Sequence, residues 1–400
     1  MTWARRNLFR TPLDALMSAV FGSVALFVLY RLFRFVFVTG RWEIVKVNEK
    51  LLLFGRYPDD ELWRLSVASV ILALWAGFLA GLVAGRQDRA GTATRTDQTP
   101  RERALDLVGR FWIPAAAILL LLAISTTPGP WITAIATVVA ALVGRVSGGW
   151  AGGRKPGRGF SLALGLVLGA IPVATYLWVV GTVGYDEWGG FMLNAFLALC
   201  SIILCFPLGV ALALGRRSKL PLLRWLSTTY IEVLRGAPLF VLLLLASVAL
   251  EFFIPASMAP SKATRAIVVF TLFTAAYMAE IVRGGLQSVP RGQEEAAKAL
   301  GLSPVRQTFL IVLPQALRNV IPAQIGQLIS LFKDTTLAGV AMGLFEMANV
   351  ASAIPAQEEF RGQGLIGETL AITALLFWVG SYTMSRESQR LEKKLGVGTR

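Results

Sequence analysis

The sequence predicts an all-α polytopic membrane protein with about ten transmembrane helices. Three observations predict it: an apolar composition, the lengths of the apolar runs and the sidedness of the basic residues. Of 400 residues, 55% are hydrophobic and 16% charged, against a charged share of about 25% in soluble domains. Ten runs reach or approach the roughly 20 helical residues that cross a hydrocarbon core. Five fall in the first half, at 16–38, 62–85, 111–127, 131–147 and 160–183. Five more follow at 190–214, 236–254, 264–284, 321–343 and 366–385.

A formal charge of +15 suggests nucleic acid at first sight, but its distribution argues for a bilayer and against a nucleic-acid partner. With a cytoplasmic N-terminus (Arg5, Arg6, Arg10), and basic residues near span ends counted with the adjoining loop, the inner loops collect 28 Lys and Arg, the outer loops 10, and Lys333 alone lies deep within a span. This is the positive-inside rule. It places both termini in the cytoplasm. One interval resists: Arg31 to Arg64 puts seven basic residues outside, so the first hairpin is the least constrained part of the topology. The first apolar run is long and lacks a small-residue cleavage site, so no cleavable signal peptide is expected.

The chain has no histidine, which removes histidine metal sites, Ser-His-Asp triads and the commonest general base. No catalytic and no metal-binding residues are therefore expected, and enzyme classes recede. Cys200 and Cys205 stand five apart in one apolar helix and point to different faces, which suits neither a disulfide nor a metal site.

The turn at 184–190 divides the chain into an N-terminal membrane region of about five helices, 1–188, and a second unit, 189–400. In the first, Gly77, Gly81 and Gly85 recur every four residues, and Gly165 with Gly169 repeats the spacing; both stripes predict close helix approach. The stretch Gln87 to Arg110 is polar and aperiodic, a flexible cytoplasmic loop. In the second unit, parity places the polar interval after the eighth span, including 286–314, on the cytoplasmic side.

That interval carries the sharpest motif. It reads Glu295-Ala296-Ala297, three residues, Gly301, nine residues, Ile311, one residue, Leu313-Pro314. Pro290 suits a first helical turn, Glu294 and Lys298 an i to i+4 pair, and Gly301 a left-handed helix end. Ser303 and Pro304 suit the start of a second short helix. The product is helix, bend, helix, with small alanines exposed on one face and Glu295 free for a charged contact at a partner's rim. No Gly-x-x-x-x-Gly-Lys-Ser/Thr sequence occurs, so any ATP is bound by another subunit. Gly362 to Gly367 matches Gly-x-Gly-x-x-Gly, but without a preceding strand it reads as a loop into the last span.

The spacing from Glu295 to Pro314 resembles the EAA loop of ABC importer permeases. Around it, Arg235-Gly236-Ala237-Pro238-Leu239-Phe240-Val241, residues 277–301 and Lys333-Asp334-Thr335-Thr336-Leu337 are similar to stretches of the polar amino acid uptake permeases, over roughly 190–385. Ala237 and Leu242 depart from that pattern, where threonine and glutamine are usual. The five added N-terminal spans resemble the longer permease subunits of general L-amino acid systems. The resemblance implies a C-terminal type I ABC importer permease core of five helices in a bacterial inner membrane. It also implies a paralogous permease partner, two cytoplasmic ABC ATPases that use ATP and Mg, and a periplasmic amino-acid-binding protein, with no cofactor in this chain. An ion-gradient-driven secondary transporter of small polar solutes is the alternative; it predicts inverted repeats between the halves, and none is evident.

Ionisable groups inside spans are costly unless paired or facing a cavity. Lys333 lies roughly 18 Å into a core about 30 Å thick. With Asp334, Thr335 and Thr336 it forms a candidate translocation-path or subunit-interface cluster, interface pairing being the favoured reading. Glu280 and Arg283, three apart, read as an intrahelical ion pair beside the coupling loop, and Arg235 as a snorkelling anchor. Pro314 and Pro322 each remove a helix hydrogen bond and bend the chain into the membrane.

Overall fold

The computed structural model describes residues 9–89, 112–119, 122–123, 129–153, 158–253, 255 and 258–396, and among them every regular element is helical. The first helix, α1 (Pro12–Arg34), opens on a capping box in which Thr11 and Asp14 satisfy each other's backbone amides, and it ends in a π turn over Phe35–Thr39. Two short helices, α2 (Glu43–Val47) and α3 (Glu49–Phe54), form the hairpin before the next span. Then come α4 (Leu62–Arg89), α5 (Gly129–Gly152) and α6 (Arg158–Val180). The C-terminal region holds α7 (Gly190–Arg216), α8 (Pro221–Gly236), α9 (Leu239–Val248), α10 (Lys262–Ser288), α11 (Arg291–Ala299), α12 (Leu313–Asn319), α13 (Ile321–Asp334), α14 (Leu337–Met342), α15 (Met347–Ala353) and α16 (Ile366–Leu395).

Six described helices are long and apolar enough to cross a membrane, and a seventh span is reached if a bent pair counts as one. The six correspond to expected spans one, two, four, six, eight and ten. The third, 111–127, is described only over 112–119 and 122–123, and the loop Gln87 to Arg110 lies largely outside the described residues. The fifth is a helix whose apolar stretch, Val167–Val180, is short. The seventh and ninth differ from the straight spans the sequence suggested. At Gly236-Ala237-Pro238 the chain turns by 98° between α8 and α9, where Ala237 and Pro238 are both extended. The ninth run breaks at Thr335-Thr336 between α13 and α14. Hydropathy reports neither break, because it averages composition along the chain and carries no direction. Gly362 and Gly364 sit at positive φ in the turn that leads into α16, in keeping with the loop reading of that glycine motif.

Two glycine stripes lock α4 to α5. A Cβ on Gly77, Gly81 or Gly85 would fall well under 3.0 Å from the carbonyl oxygens of Ala141, Arg145 and Gly149, and one on Gly144, Gly148 or Gly152 would meet those of Leu74, Phe78 and Leu82. The stripes interdigitate, each glycine admitting the facing backbone, and Ser69 and Thr137 Oγ atoms meet 3.2 Å apart in the same seam. The expectation for Gly77, Gly81 and Gly85 stands. That for Gly165 and Gly169 is corrected: a Cβ there meets no atom of the described residues within 4 Å. Trp75 closes the approach to α6 instead, donating Nε1 to the Leu168 carbonyl at 2.7 Å.

The two regions join mainly at the end of the bundle opposite the 286–314 loop. Ile44, Val45 and Leu52 of the α2–α3 hairpin are buried with Met347, Val350, Ile354, Phe360 and Phe377. Asn48 accepts from Gln357 at 2.9 Å, the Arg41 amide donates to Glu368 at 3.1 Å, and the Arg56 guanidinium lies 4.6 Å from the Phe345 ring centroid. Gly55 packs against Gly189 so closely that neither admits a Cβ. Beside it, Tyr176 and Tyr185 stack on Phe196 of α7. The hairpin is thus stapled to the end that parity assigns to the outer face.

Replacing Gly81 or Gly148 with alanine is expected to lower stability by about 1–3 kcal/mol through overpacking, although alanine is the better helix former by about 1 kcal/mol. Gly165→Ala should be neutral or stabilising. Thermal unfolding of purified variants checks the order; equal effects at the three positions would show that the stripes do not form the contact.

Candidate functional site

The 286–314 loop folds as helix, bend and a second helical run. Pro290 is the extended residue that precedes α11 rather than its first turn. The helix ends in a Schellman motif: Gly301 has φ +72° and donates to the Lys298 carbonyl at 2.9 Å, and Leu302 donates to that of Ala297 at 3.1 Å. Ser303 holds the next N-cap position without a side-chain cap, and Pro304 follows at the first turn. Gln307 does the bracing, donating Nε2 to the Leu302 carbonyl at 2.6 Å from a buried position. Residues Gln307–Val312 run as a π segment into α12, whose second residue is Pro314, and Leu313 is buried while Ile311 is half-buried. A widened turn absorbs the hydrogen bond that Pro314 does not make. Pro322 likewise stands at the start of α13, after a break at Val320.

Glu295 and Ala296 are exposed, but Ala297 is buried, where α11 packs on the π segment; the exposed face is therefore narrower than the motif suggested. Its neighbours Leu300, Val305, Phe309 and Leu310 are more than half exposed, an apolar ridge on an otherwise polar loop. Glu294 does not pair with Lys298. It meets Arg217 of the α7–α8 turn at 3.4 Å, and Arg217 also donates to the Leu286 carbonyl.

Next to this loop, Glu280 gathers three arginines. Arg283 donates Nε to it at 2.9 Å, Arg216 lies at 3.1 Å and Arg235 at 3.7 Å, while Arg216 also holds Glu232 at 2.9 Å. The intrahelical pair foreseen from spacing is present, and the structure extends it across α7, α8 and α10. Arg235 is a member of this network rather than a free anchor: it lies 5.6 Å from the Tyr277 ring centroid, and Tyr277 donates to its carbonyl.

The Lys333 to Thr336 cluster is pulled apart. Lys333 is exposed and Asp334 half-buried at the end of α13. Thr336 donates back to the Lys333 carbonyl. Thr335 is fully buried, donating to the Phe332 carbonyl and accepting from Asn194 of α7 at 3.1 Å. Asn194 donates equally to Glu346 at 3.0 Å and accepts from the Met347 amide at 2.9 Å. Glu346 in turn accepts from the Ala348 and Asn349 amides, capping α15. Sequence reading missed Asn194, Glu346, Arg216, Arg217 and Gln307. The signal for the first was there: Asn194 is a polar amide in an apolar run.

Cys200 and Cys205 are both free thiols. No group of acidic or cysteine side chains among the described residues is arranged to hold a metal.

Residues 205–396 match the family described as the binding-protein-dependent transport system inner membrane component. The chain is also 33% identical over 430 residues to the glutamate/glutamine/aspartate/asparagine transport system permease BztC of Rhodobacter capsulatus, covering 98% of this chain and 93% of that one. The chain belongs to this permease family. The match to the R. capsulatus protein spans nearly the whole chain, whereas two further relatives cover about half of it. The Escherichia coli amino-acid ABC transporter permease YhdY is 42% identical over 53% of this chain and 57% of its own. The probable glutamine permease GlnP of Bacillus subtilis is 36% identical over 51% and 91%. A crystal structure of an amino acid ABC transporter with histidines aligns at TM-score 0.46 and 28% identity, over 51% of this chain and 92% of that one. These relatives are transport permeases, so this permease is a multi-pass inner-membrane transport component and not an enzyme.

Removing one partner of the buried knot is expected to leave the others unsatisfied at about 1–3 kcal/mol. Glu346→Gln keeps one accepting oxygen and sets its NH2 against either the Asn194 and Ala348 donors or the Asn349 amide, so it should lower the permease's melting temperature, with Asn194→Ala at least as damaging. Thr336→Val, outside the knot, should leave it near wild type; a melting temperature unmoved by Glu346→Gln would show that the knot holds nothing.

Proposed function

We propose that this chain is the membrane-spanning subunit of an ATP-driven ABC importer of L-amino acids. Residues 189–400 form the permease core and 1–188 an added membrane region, with both termini and the 286–314 loop in the cytoplasm. The observation that carries the coupling role is the loop itself: a helix with a glycine-locked end presenting Glu295, Ala296 and an apolar ridge at Leu300, Val305, Phe309 and Leu310. An ATPase groove covers that ridge, and the pairing of Glu294 with Arg217 passes its displacement to the α7–α8 turn and on to the Glu280 network. Two cytoplasmic ATPases bind the ATP and Mg; a paralogous permease completes the pathway, and a periplasmic binding protein delivers the cargo. Amino acid as cargo is supported by the relatives' substrates, acidic and amide amino acids first among them.

Within the membrane, Lys333 is exposed on the single chain, and an ammonium in hydrocarbon is costly. Lys333, Asp334 and Thr336 therefore face the partner permease, while Thr335 is committed to the Asn194 knot.

Coupling is tested in proteoliposomes that hold the full complex. Gly301→Val forces a branched residue into the left-handed region and is expected to reduce binding-protein-stimulated ATP hydrolysis and uptake together, by about tenfold for a strain and repacking of about 1.4 kcal/mol. Gly301→Asn, which tolerates that conformation, should retain most of both, and Glu295→Lys should lose both. Uptake competed by none of the amino acids would overturn the cargo reading, and uptake under an ion gradient without ATPase subunits would overturn the importer reading.

A further inference from the structure

We propose that α8 is a membrane-surface helix seated in the inner leaflet, and that Lys219 and Arg224 bind anionic lipid headgroups there. The inference rests on the orientation argued above, which puts 216–235 on the inner side. Because α8 meets α9 at 98°, the two cannot both run along the membrane normal. The apolar residues of α9 fit the span, so α8 lies near the membrane plane.

The faces of α8 sort cleanly. Ser227 and Ile231 are buried against the bundle. On the opposite side, Leu222, Trp225, Leu226 and Val233 recur at helical spacing and are 66%, 62%, 49% and 59% exposed. A stripe of leucine and tryptophan on a helix lying at the interface is the pattern of an amphipathic helix that enters the headgroup boundary. Charge complementarity selects the occupant. Arg216 is engaged by Glu232 and Glu280, and Arg217 by Glu294, but Lys219, just before α8, and Arg224, next to Trp225 in sequence and on the flank away from the stripe, are exposed and have no acidic partner among the described residues. Unpaired cations flanking an exposed tryptophan match an anionic leaflet, where each basic residue strengthens binding about fivefold.

The position gives the contact a function. Lys219 is two residues from Arg217, which holds α11 through Glu294 and the Leu286 carbonyl. Anionic lipid on this turn anchors the base against which the coupling loop moves.

The test places a photo-crosslinking amino acid at Leu226 in the assembled complex, in nanodiscs of phosphatidylcholine with and without phosphatidylglycerol. Adducts are read by mass without nucleotide or substrate, so the result is independent of whether coupling occurs as proposed. The expected outcome is a lipid adduct enriched in phosphatidylglycerol, with the enrichment falling by an order of magnitude in the Lys219→Gln/Arg224→Gln variant. The same probe at Ile231 should crosslink only within the chain. An adduct to a neighbouring permease subunit at Leu226, or phosphatidylglycerol enrichment unchanged by the double substitution, overturns the proposal.

Discussion

The rest of the bundle hangs on one constraint: inside a bilayer no water satisfies a broken helix, so each interruption of a span must find its partners within the protein. The ninth span is broken at Thr335-Thr336, where the backbone closes locally on Leu331 and Lys333, and again before α15, where the knot of Asn194, Thr335 and Glu346 receives the freed amides. Every donor there meets an acceptor: Asn194 gives to Thr335 and Glu346, and the Met347, Ala348 and Asn349 amides are all received. Because Asn194 belongs to α7 and Glu346 begins α15, the knot fixes three segments at once. Such a network is costly when half satisfied and specifies one arrangement when complete.

That fixed point explains where the N-terminal region attaches. The Gly190 amide donates to the Phe345 carbonyl at 2.9 Å, adjacent to Glu346, and the α2–α3 hairpin packs over the same residues through Leu52, Gly55 and Arg56. The added helices thus grip the core where it is already rigid. Their own cohesion comes from the α4–α5 glycine seam, which needs nothing from the core. A region built in this way adds mass to one end of the bundle and leaves the loop end to the core helices.

What the sequence disclosed follows the range of the interactions. The bend at Gly301 was legible because a Schellman motif is made within six residues, and the Glu280 to Arg283 pair because it lies within one turn. The pairing of Glu294 with Arg217, 77 positions away, was not, and the local partner Lys298 was a reasonable but wrong substitute. Gly77, Gly81 and Gly85 announced a close contact, yet spacing alone gave the same weight to Gly165 and Gly169, which border open space beside Trp75 and Leu79. A glycine stripe states that approach is permitted; only the opposing stripe at Gly144, Gly148 and Gly152 states that it occurs. Ala297 shows the same limit, since alanine is equally fitted to a partner's groove and to its own bundle. The bend before Pro238 escaped because hydropathy is a scalar and carries no direction.

The two ends are tied by different chemistry, and that difference is what a transporter needs. The end that holds the knot is tied by hydrogen bonds among buried groups shared by three elements, so displacing any one leaves unsatisfied groups in a low dielectric. At the loop end the ties are ion pairs on partly exposed side chains: Arg216 and Glu280 keep about a quarter of their side-chain surface, and Arg217 and Glu294 more. Exposed pairs of this kind are worth about 0–1 kcal/mol, and Glu280 has three cations within reach. An acidic group among several donors exchanges one for another at little cost as helices tilt, which permits two arrangements of nearly equal energy. On the proposed coupling through Glu295, motion is taken up where the ties are cheap to exchange, between α7, α8 and α10, and stops at the knot, where they are not.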